Sequence, residues 1–183
     1  MSGDTPLGTD PVEVVPYDPR WPRMFEEERQ RILGALGPRA LEVEHIGSTA
    51  VPGLAAKPVI DIMVGVGTLD DAPACIGALE ALGYEYVSEF EQELPERRYF
   101  RRFGPDGRRT HQIHLVERRN LGWWERHVRF RDYLRSHPEV AREYGELKME
   151  LARRFRHDRA GYMDGKEDFV RAVEMLALEE QGA

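Results

Sequence analysis

Two apolar runs of strand length, Leu41–Ile46 and Val59–Val66, flank a loop that carries Gly47, Pro52, Gly53 and Pro58. Upstream, Met24, Phe25, Ile32, Leu33 and Leu36 recur at helical spacing. Pro22 suits a first turn and Gly37-Pro38 a stop, so the pattern predicts a helix over Trp21–Leu36. Downstream, Asp70–Leu82 reads as a second helix closed by Gly83, and Tyr84–Val87 as a short strand. Glu89–Glu96 is acidic and poor in apolar residues, and reads as a loop. Arg97–Phe103 and Arg108–Glu117 alternate around the turn signal Pro105-Asp106-Gly107, which predicts a hairpin. Helical spacing then takes over in Leu121–Ser136, Pro138–Phe155 and Gly161–Leu178. At the other end, Val12–Val15 reads as a short edge strand after a polar, frayed stretch over residues 1–10. The expected fold is α+β: a mixed sheet flanked by helices, with a C-terminal helical cap. Residues 1–118 form the α+β core, and residues 119–183 pack on that core within one structural domain.

Composition narrows the class. Hydrophobic content of 41% and charged content of 32% over 183 residues describe a soluble globular chain. A net charge of −7 argues against general nucleic-acid binding. No apolar run reaches the roughly 18 residues of a membrane span, and the opening MSGDTPLGTD lacks the basic and apolar regions of a signal peptide. A single cysteine, Cys75, excludes an internal disulfide framework and reads as a small core residue. Together these features fit the cytoplasm. Of the 26 basic residues 23 are arginine, and Lys57 is the only one between Arg39 and Arg97.

Candidate chemistry centres on Asp61, a carboxylate inside an apolar run, which needs a partner or a role. Gly47 lets the chain turn, and Ser48 and Thr49 offer hydroxyls and backbone N–H groups to an anion. His45, Asp61, His111 and His114 form a possible constellation of nitrogen and carboxylate donors. Such donors suit Zn²⁺ or Mn²⁺ better than Mg²⁺. Each histidine alone reads as a hydrogen-bonded residue at the core's edge. Asp61 and His114, on neighbouring apolar strands, read together as a site, with Asp61, His114 and His45 as metal ligands. Lys57 either neutralises phosphate, pairs with Asp61, or is an ordinary loop lysine. In the hairpin Arg97 shares a face with Arg101 and Arg98 with Arg102. Arg98 and Arg109 are chosen as the members facing a cleft, against the alternative that the hairpin arginines balance the acidic loop. Arg131, Tyr133 and Lys148 are placed on the cap side, and Tyr144 and Tyr162 in packing.

The stretch EHIGSTAVPGLAAKPVIDIMV resembles the signature of the GrpB family, a bacterial family with the nucleotidyltransferase fold. The resemblance continues in RTHQIHLVE, in FRDYLRSHPEVAREYGELK and in Tyr162, Lys166 and Phe169, from about residue 12 to residue 175. It implies that Gly47 and Ser48 begin a phosphate-holding helix and that Asp61 is the first of two or three metal-binding carboxylates. The second falls at Met63 and the third near His114, so only one carboxylate is kept. A lone carboxylate is a poor Mg²⁺ site. The resemblance leaves three functions open. One is nucleotidyl transfer from a nucleoside triphosphate to a small molecule. Another is a binding module for a nucleotide or phosphometabolite, since the family occurs fused to dephospho-coenzyme A kinase. The third is a His/Asp metalloenzyme. The expected cofactor is a divalent metal, Mg²⁺ or a His-compatible ion such as Mn²⁺ or Zn²⁺. The expected partner is a phosphorylated small molecule. The acceptor, the base preference and the oligomeric state are not written in the sequence.

Overall fold

Five strands form one sheet in the order β1-β2-β5-β4-β3 in the computed structural model, which describes residues 11–182. They are β1 (Glu42–Ile46), β2 (Ile60–Val66), β3 (Glu85–Tyr86), β4 (Arg97–Phe103) and β5 (Arg109–Glu117). Only β2 and β5 run parallel; every other neighbouring pair is antiparallel. The helices are α1 (Trp21–Leu36), α2 (Ala72–Ala81), α3 (Leu121–Ser136), α4 (Pro138–Arg154) and α5 (Arg159–Gly182). The architecture is therefore the α+β mixed sheet that the sequence predicts.

Because strand side chains alternate, the sheet separates its residues cleanly. Val43, Ile60, Ile62, Val64, Phe100, Ile113 and Leu115 join Ile32, Leu36, Cys75 and Leu79 in the main core, under α1 and α2. Ile46, Met63 and Val116 point the other way and meet Trp124 of α3. A Cβ at Gly65 would lie 2.8 Å from the Trp124 ring, so the missing side chain lets α3 lie close on the sheet. Val51 and Leu54 of the β1–β2 loop pack with Leu134, Ala141, Tyr144 and Val173 of α3, α4 and α5. That loop is tied down from three directions. Arg135 donates to the Ala50 carbonyl (2.9 Å), Lys148 donates to the Ala55 carbonyl (2.5 Å), and Val15 pairs with Ala56.

Small departures have local causes. Val12–Val15 is not a strand: Val15 makes a single bridge to Ala56 before Pro16 interrupts. Asp70 and Asp71 lie in a short 3₁₀ turn whose Thr68 hydroxyl accepts from the Asp70 N–H, and the helix proper begins at Ala72. The expected frayed stretch over residues 1–10 lies outside the described residues.

On the α1 side, the buried Glu28 carboxylate accepts from Tyr84 Oη (2.9 Å), Arg102 (2.8 Å) and Arg31 (2.8 Å). The Arg102 guanidinium also meets His111 Nδ1 at 2.9 Å. This network binds α1 to the β4–β5 hairpin. Glu28→Ala leaves Arg102 without its carboxylate and should cost about 3–5 kcal/mol, the usual range for halving a buried pair. Urea denaturation would measure the loss, and a change under 1 kcal/mol would overturn this reading.

Candidate functional site

Asp61 opens β2 on the face turned toward the C-terminal helices, beside Gln112 and diagonal to His114 on β5. His114 Nε2 is 2.9 Å from Asp61 Oδ1, a contact that falls short of good hydrogen-bond alignment. Arg97 approaches His114 Nδ1 at 3.2 Å. Arginine cannot accept a hydrogen bond, so Nδ1 is the acceptor and the ring hydrogen sits on Nε2, toward Asp61. A second relay arrives through Gln112. Arg109 donates to Tyr99 Oη (3.1 Å), and Tyr99 donates to Gln112 Oε1 (2.8 Å). That fixes the Gln112 amide with its NH₂ toward Asp61, whose charge it favours. Burial acts to raise the Asp61 pKa; the electrostatic interaction with His114, then Gln112, more than offsets it and holds the carboxyl below its ordinary value. A carboxylate of that kind is a weak proton acceptor, so its chemistry is charge and orientation.

Arg97 itself stands among three rings, 5.7 Å from Phe90, 5.0 Å from Tyr99 and 5.5 Å from Trp123. Trp123 is pinned by its indole N–H to Glu96 (2.9 Å) and stacks on His127 at 4.6 Å.

The other side of Asp61 is cationic. Lys148 of α4 is only 2% exposed; its Nζ donates to Ser48 Oγ (2.7 Å) and lies 4.5 Å from the Tyr144 ring centre. Lys57 of the loop and Lys166 of α5 lie over the Tyr162 ring, at 5.3 Å and 5.4 Å. Burial first, then Arg159, Lys166 and Arg109, pushes the Lys57 pKa down to about 7. Burial, with Lys166 and Lys57, pushes Lys148 down to about 6. Lys166 is shifted downward for the same leading reason, with Asp61 opposing.

Gly47 joins the two halves. Its φ of 71° and ψ of −171° belong to a region that is nearly glycine-only. A Cβ there would sit 3.0 Å from Asp61 Oδ2. Gly47→Ala should cost about 1–3 kcal/mol from backbone strain and push Asp61 out of place. Thermal denaturation would show it, and an unchanged melting temperature would refute the close approach.

Several expectations are corrected by this geometry. Gly47 and Ser48 begin a three-residue 3₁₀ turn rather than a helix, so no long helix begins beside Asp61. Thr49 is a loop pin: its hydroxyl meets His45 Nε2 at 2.9 Å and the Val59 carbonyl at 3.3 Å. His45 does not join Asp61 and His114. It pairs with Ile62, one position from Asp61 along β2, and therefore faces α1, stacked on Phe25 at 4.7 Å. Burial pushes its pKa down to about 4. His111 also faces α1. Arg98 bonds the Pro95 carbonyl (2.9 Å) and pairs with Glu91 (3.4 Å), away from Asp61, while its neighbour Arg97 takes the inward place. Glu44 is engaged by Arg131. Lys166, Tyr162, Tyr99 and Gln112 were not expected as site residues. The signal for Lys166 was its being one of only three lysines in the chain.

The residues present do not fit a two-metal centre. Met63 shares the face of Asp61 but is fully buried among Ile46, Val116 and Trp124. The remaining donors are one carboxylate and one imidazole already turned to each other. Among the described residues no three His, Cys, Asp or Glu side chains are grouped to hold a metal ion. A cavity of about 480 Å³ does exist at the β1 border of the sheet, between α1 and α3, but its lining, which includes Phe25, Glu44, His45, Arg131 and Arg135, holds neither Asp61 nor His114.

The fold and site thus define an α+β protein with a single carboxylate set between an arginine–aromatic group and a lysine group. The chain belongs to the GrpB family, whose model matches residues 11–175. It is 42% identical over 171 residues to a UPF0157 protein of Pseudomonas aeruginosa, covering 92% of this chain and 69% of that protein. It is 37% identical over 163 residues to YqkA of Bacillus subtilis, covering 89% of this chain but only 46% of YqkA. A protein named dephospho-CoA kinase from Mycobacterium tuberculosis is 32% identical over 86% of this chain and 44% of its own length. The crystal structure of GrpB from Enterococcus faecalis superposes with a TM-score of 0.85 at 40% identity, over 93% of this chain and all of that one. No helix among the described residues is long and apolar enough to cross a membrane.

Proposed function

We propose that the chain binds a phosphate-bearing small molecule in the cleft bordered by the β1–β2 loop, β2, α4 and α5. Nucleoside triphosphates are the foremost class. The observation that carries this reading is the convergence of Lys57, Lys148 and Lys166 on one wall beside Ser48 and Asp61. Phosphate oxygens would satisfy those ammonium groups, while Asp61 and His114 border the part of the ligand next to the phosphates. Nucleotidyl transfer to a small acceptor is the reaction this arrangement would serve, with Asp61 orienting the acceptor rather than deprotonating it. A cytoplasmic setting, where nucleoside triphosphates are abundant, would suit such a ligand.

A second reading has its own support. The similarity to a protein named dephospho-CoA kinase favours a coenzyme A-related ligand, bound without transfer. Thermal shift with nucleoside triphosphates, coenzyme A, dephospho-coenzyme A and their unphosphorylated nucleosides tests both. A ligand at 100 times its dissociation constant should stabilise by about 2.7 kcal/mol. Stabilisation by the phosphorylated compounds and not by the nucleosides is expected. Equal shifts from nucleosides, or none from any phosphorylated compound, would overturn the phosphate reading.

A further inference from the structure

A buried cation ordinarily has a carboxylate beside it, because an unpaired charge in the interior is costly. Lys148 breaks that pattern, and the half-buried Lys57 and Lys166 stand near it without an ion pair among the described residues. Among the described residues the ion pairs to carboxylates are made by arginine and histidine, and none by lysine. Arginine supplies 23 of the 26 basic residues, yet lysine is used at these three positions, from a loop and two helices. The Asp61 charge opposes the downward shifts of Lys57 and Lys166. Two of the amines lie over the Tyr162 ring and Ser48 orients the third. The result is a group of amines on flexible stems, ready to take up protons against a polyanion, next to a place where carboxylates for a metal are lacking. Met63 is buried in apolar contacts, and His114 and Gln112 already occupy Asp61.

We propose that Lys57, Lys148 and Lys166 hold the ligand's phosphates as a free polyanion, taking the place of the divalent cations that would otherwise accompany them. The inference rests on the phosphate-binding reading above and adds that the bound form is not the metal complex. Mg²⁺ in solution then competes with the lysines for the phosphate oxygens, so it weakens binding.

Calorimetric titration of the whole chain with inorganic tripolyphosphate and with ATP, in EDTA and in excess Mg²⁺, tests it. Binding in EDTA at least as tight as in Mg²⁺ is the expected result, with Lys166→Gln losing roughly tenfold in affinity. Lys166 is only half-buried, so that variant should fold, as its melting temperature will show. Should Lys166→Gln unfold, Lys57→Gln carries the same expectation. Binding that appears only with Mg²⁺, or tightens roughly tenfold with it, overturns the metal-free clamp and leaves the phosphate reading standing. Unchanged affinity in both folded variants overturns the lysine assignment. No binding of any phosphorylated compound in either buffer removes the phosphate reading itself.

Discussion

Asp61→Asn should lower stability and leave polyphosphate affinity unchanged or raised. The two effects have separate causes. The carboxylate faces His114 and Gln112 and is the charge that partly balances Lys57 and Lys166. Asparagine keeps the shape but turns one acceptor into a donor, facing groups that themselves donate. Replacing the charge that these polar neighbours face should cost about 1–3 kcal/mol at neutral pH. The pH dependence follows from the depressed carboxyl pKa. Stability contributed by Asp61 is fully present above the unfolded value near 3.9 and is lost as pH falls through the lower folded value. The gap between the two proteins should therefore close in acid. For the ligand the sign reverses, since removing a negative charge beside a phosphate relieves repulsion. A metal-bridging Asp61 would give the opposite outcome, with affinity collapsing in the variant. Tripolyphosphate titration of both proteins decides the point, and a loss of roughly tenfold or more would sink the metal-free clamp.

Lys148→Met should remove most of the anion affinity and flatten the dependence of stability on pH. In the folded chain the Lys148 pKa is pushed down to about 6 by burial and its neighbouring lysines. Unfolded, it returns to an ordinary value of about 10.4. Between those values the unfolded chain holds a proton that the folded chain has released, so stability of the unsubstituted protein rises with pH across that window. Methionine lacks that slope. The variant should compare best with the parent near pH 6 and worst near pH 10. It also strips the donor from the Ala55 carbonyl and from Ser48 Oγ, a loss of about 1–3 kcal/mol that partly cancels the relief of a buried ammonium. Binding has its own pH signature: phosphate stabilises the protonated amines, so affinity should fall as pH rises from 6 toward 9, with proton uptake by the protein. Parallel pH–stability curves for the two proteins would contradict the assignment.

Local signals were enough for much of the fold. Helices Trp21–Leu36 and Leu121–Ser136 and strand Arg97–Phe103 coincide with the spans that periodicity and stop signals predict. In those segments apolar spacing and a clear terminator agree. Val12–Val15 looked strand-like because its residues favour extended backbone, but a strand needs a partner, and the segment found one bridge only. At the site, Asp61 and His114 were legible because each is a polar residue interrupting an apolar strand. The choice of Arg98 over Arg97 failed for a different reason. Alternation shows that the two point opposite ways, but which face meets α3 depends on the register of Tyr99 against His114. The lysine wall was harder still. Lys57, Lys148 and Lys166 meet only because α4 and α5 fold back over the β1–β2 loop. Only their rarity in an arginine-rich chain hinted at a common purpose.

The two borders of the sheet have a consequence for how the molecule tolerates crowding. Strand β1 forms one border, and there Arg131 reaches across to the Glu44 carboxylate and the His45 carbonyl, the latter at 3.0 Å. Strand β3 forms the other and is only two residues long, with Arg101 clasping Glu85 at 2.7 Å. An open strand invites a neighbouring chain to add to it, and short or charge-guarded borders resist that. Concentrated solutions of this protein should accordingly resist fibrillar growth through its sheet, and Arg131 is the side chain whose removal would expose the longer of the two docking edges.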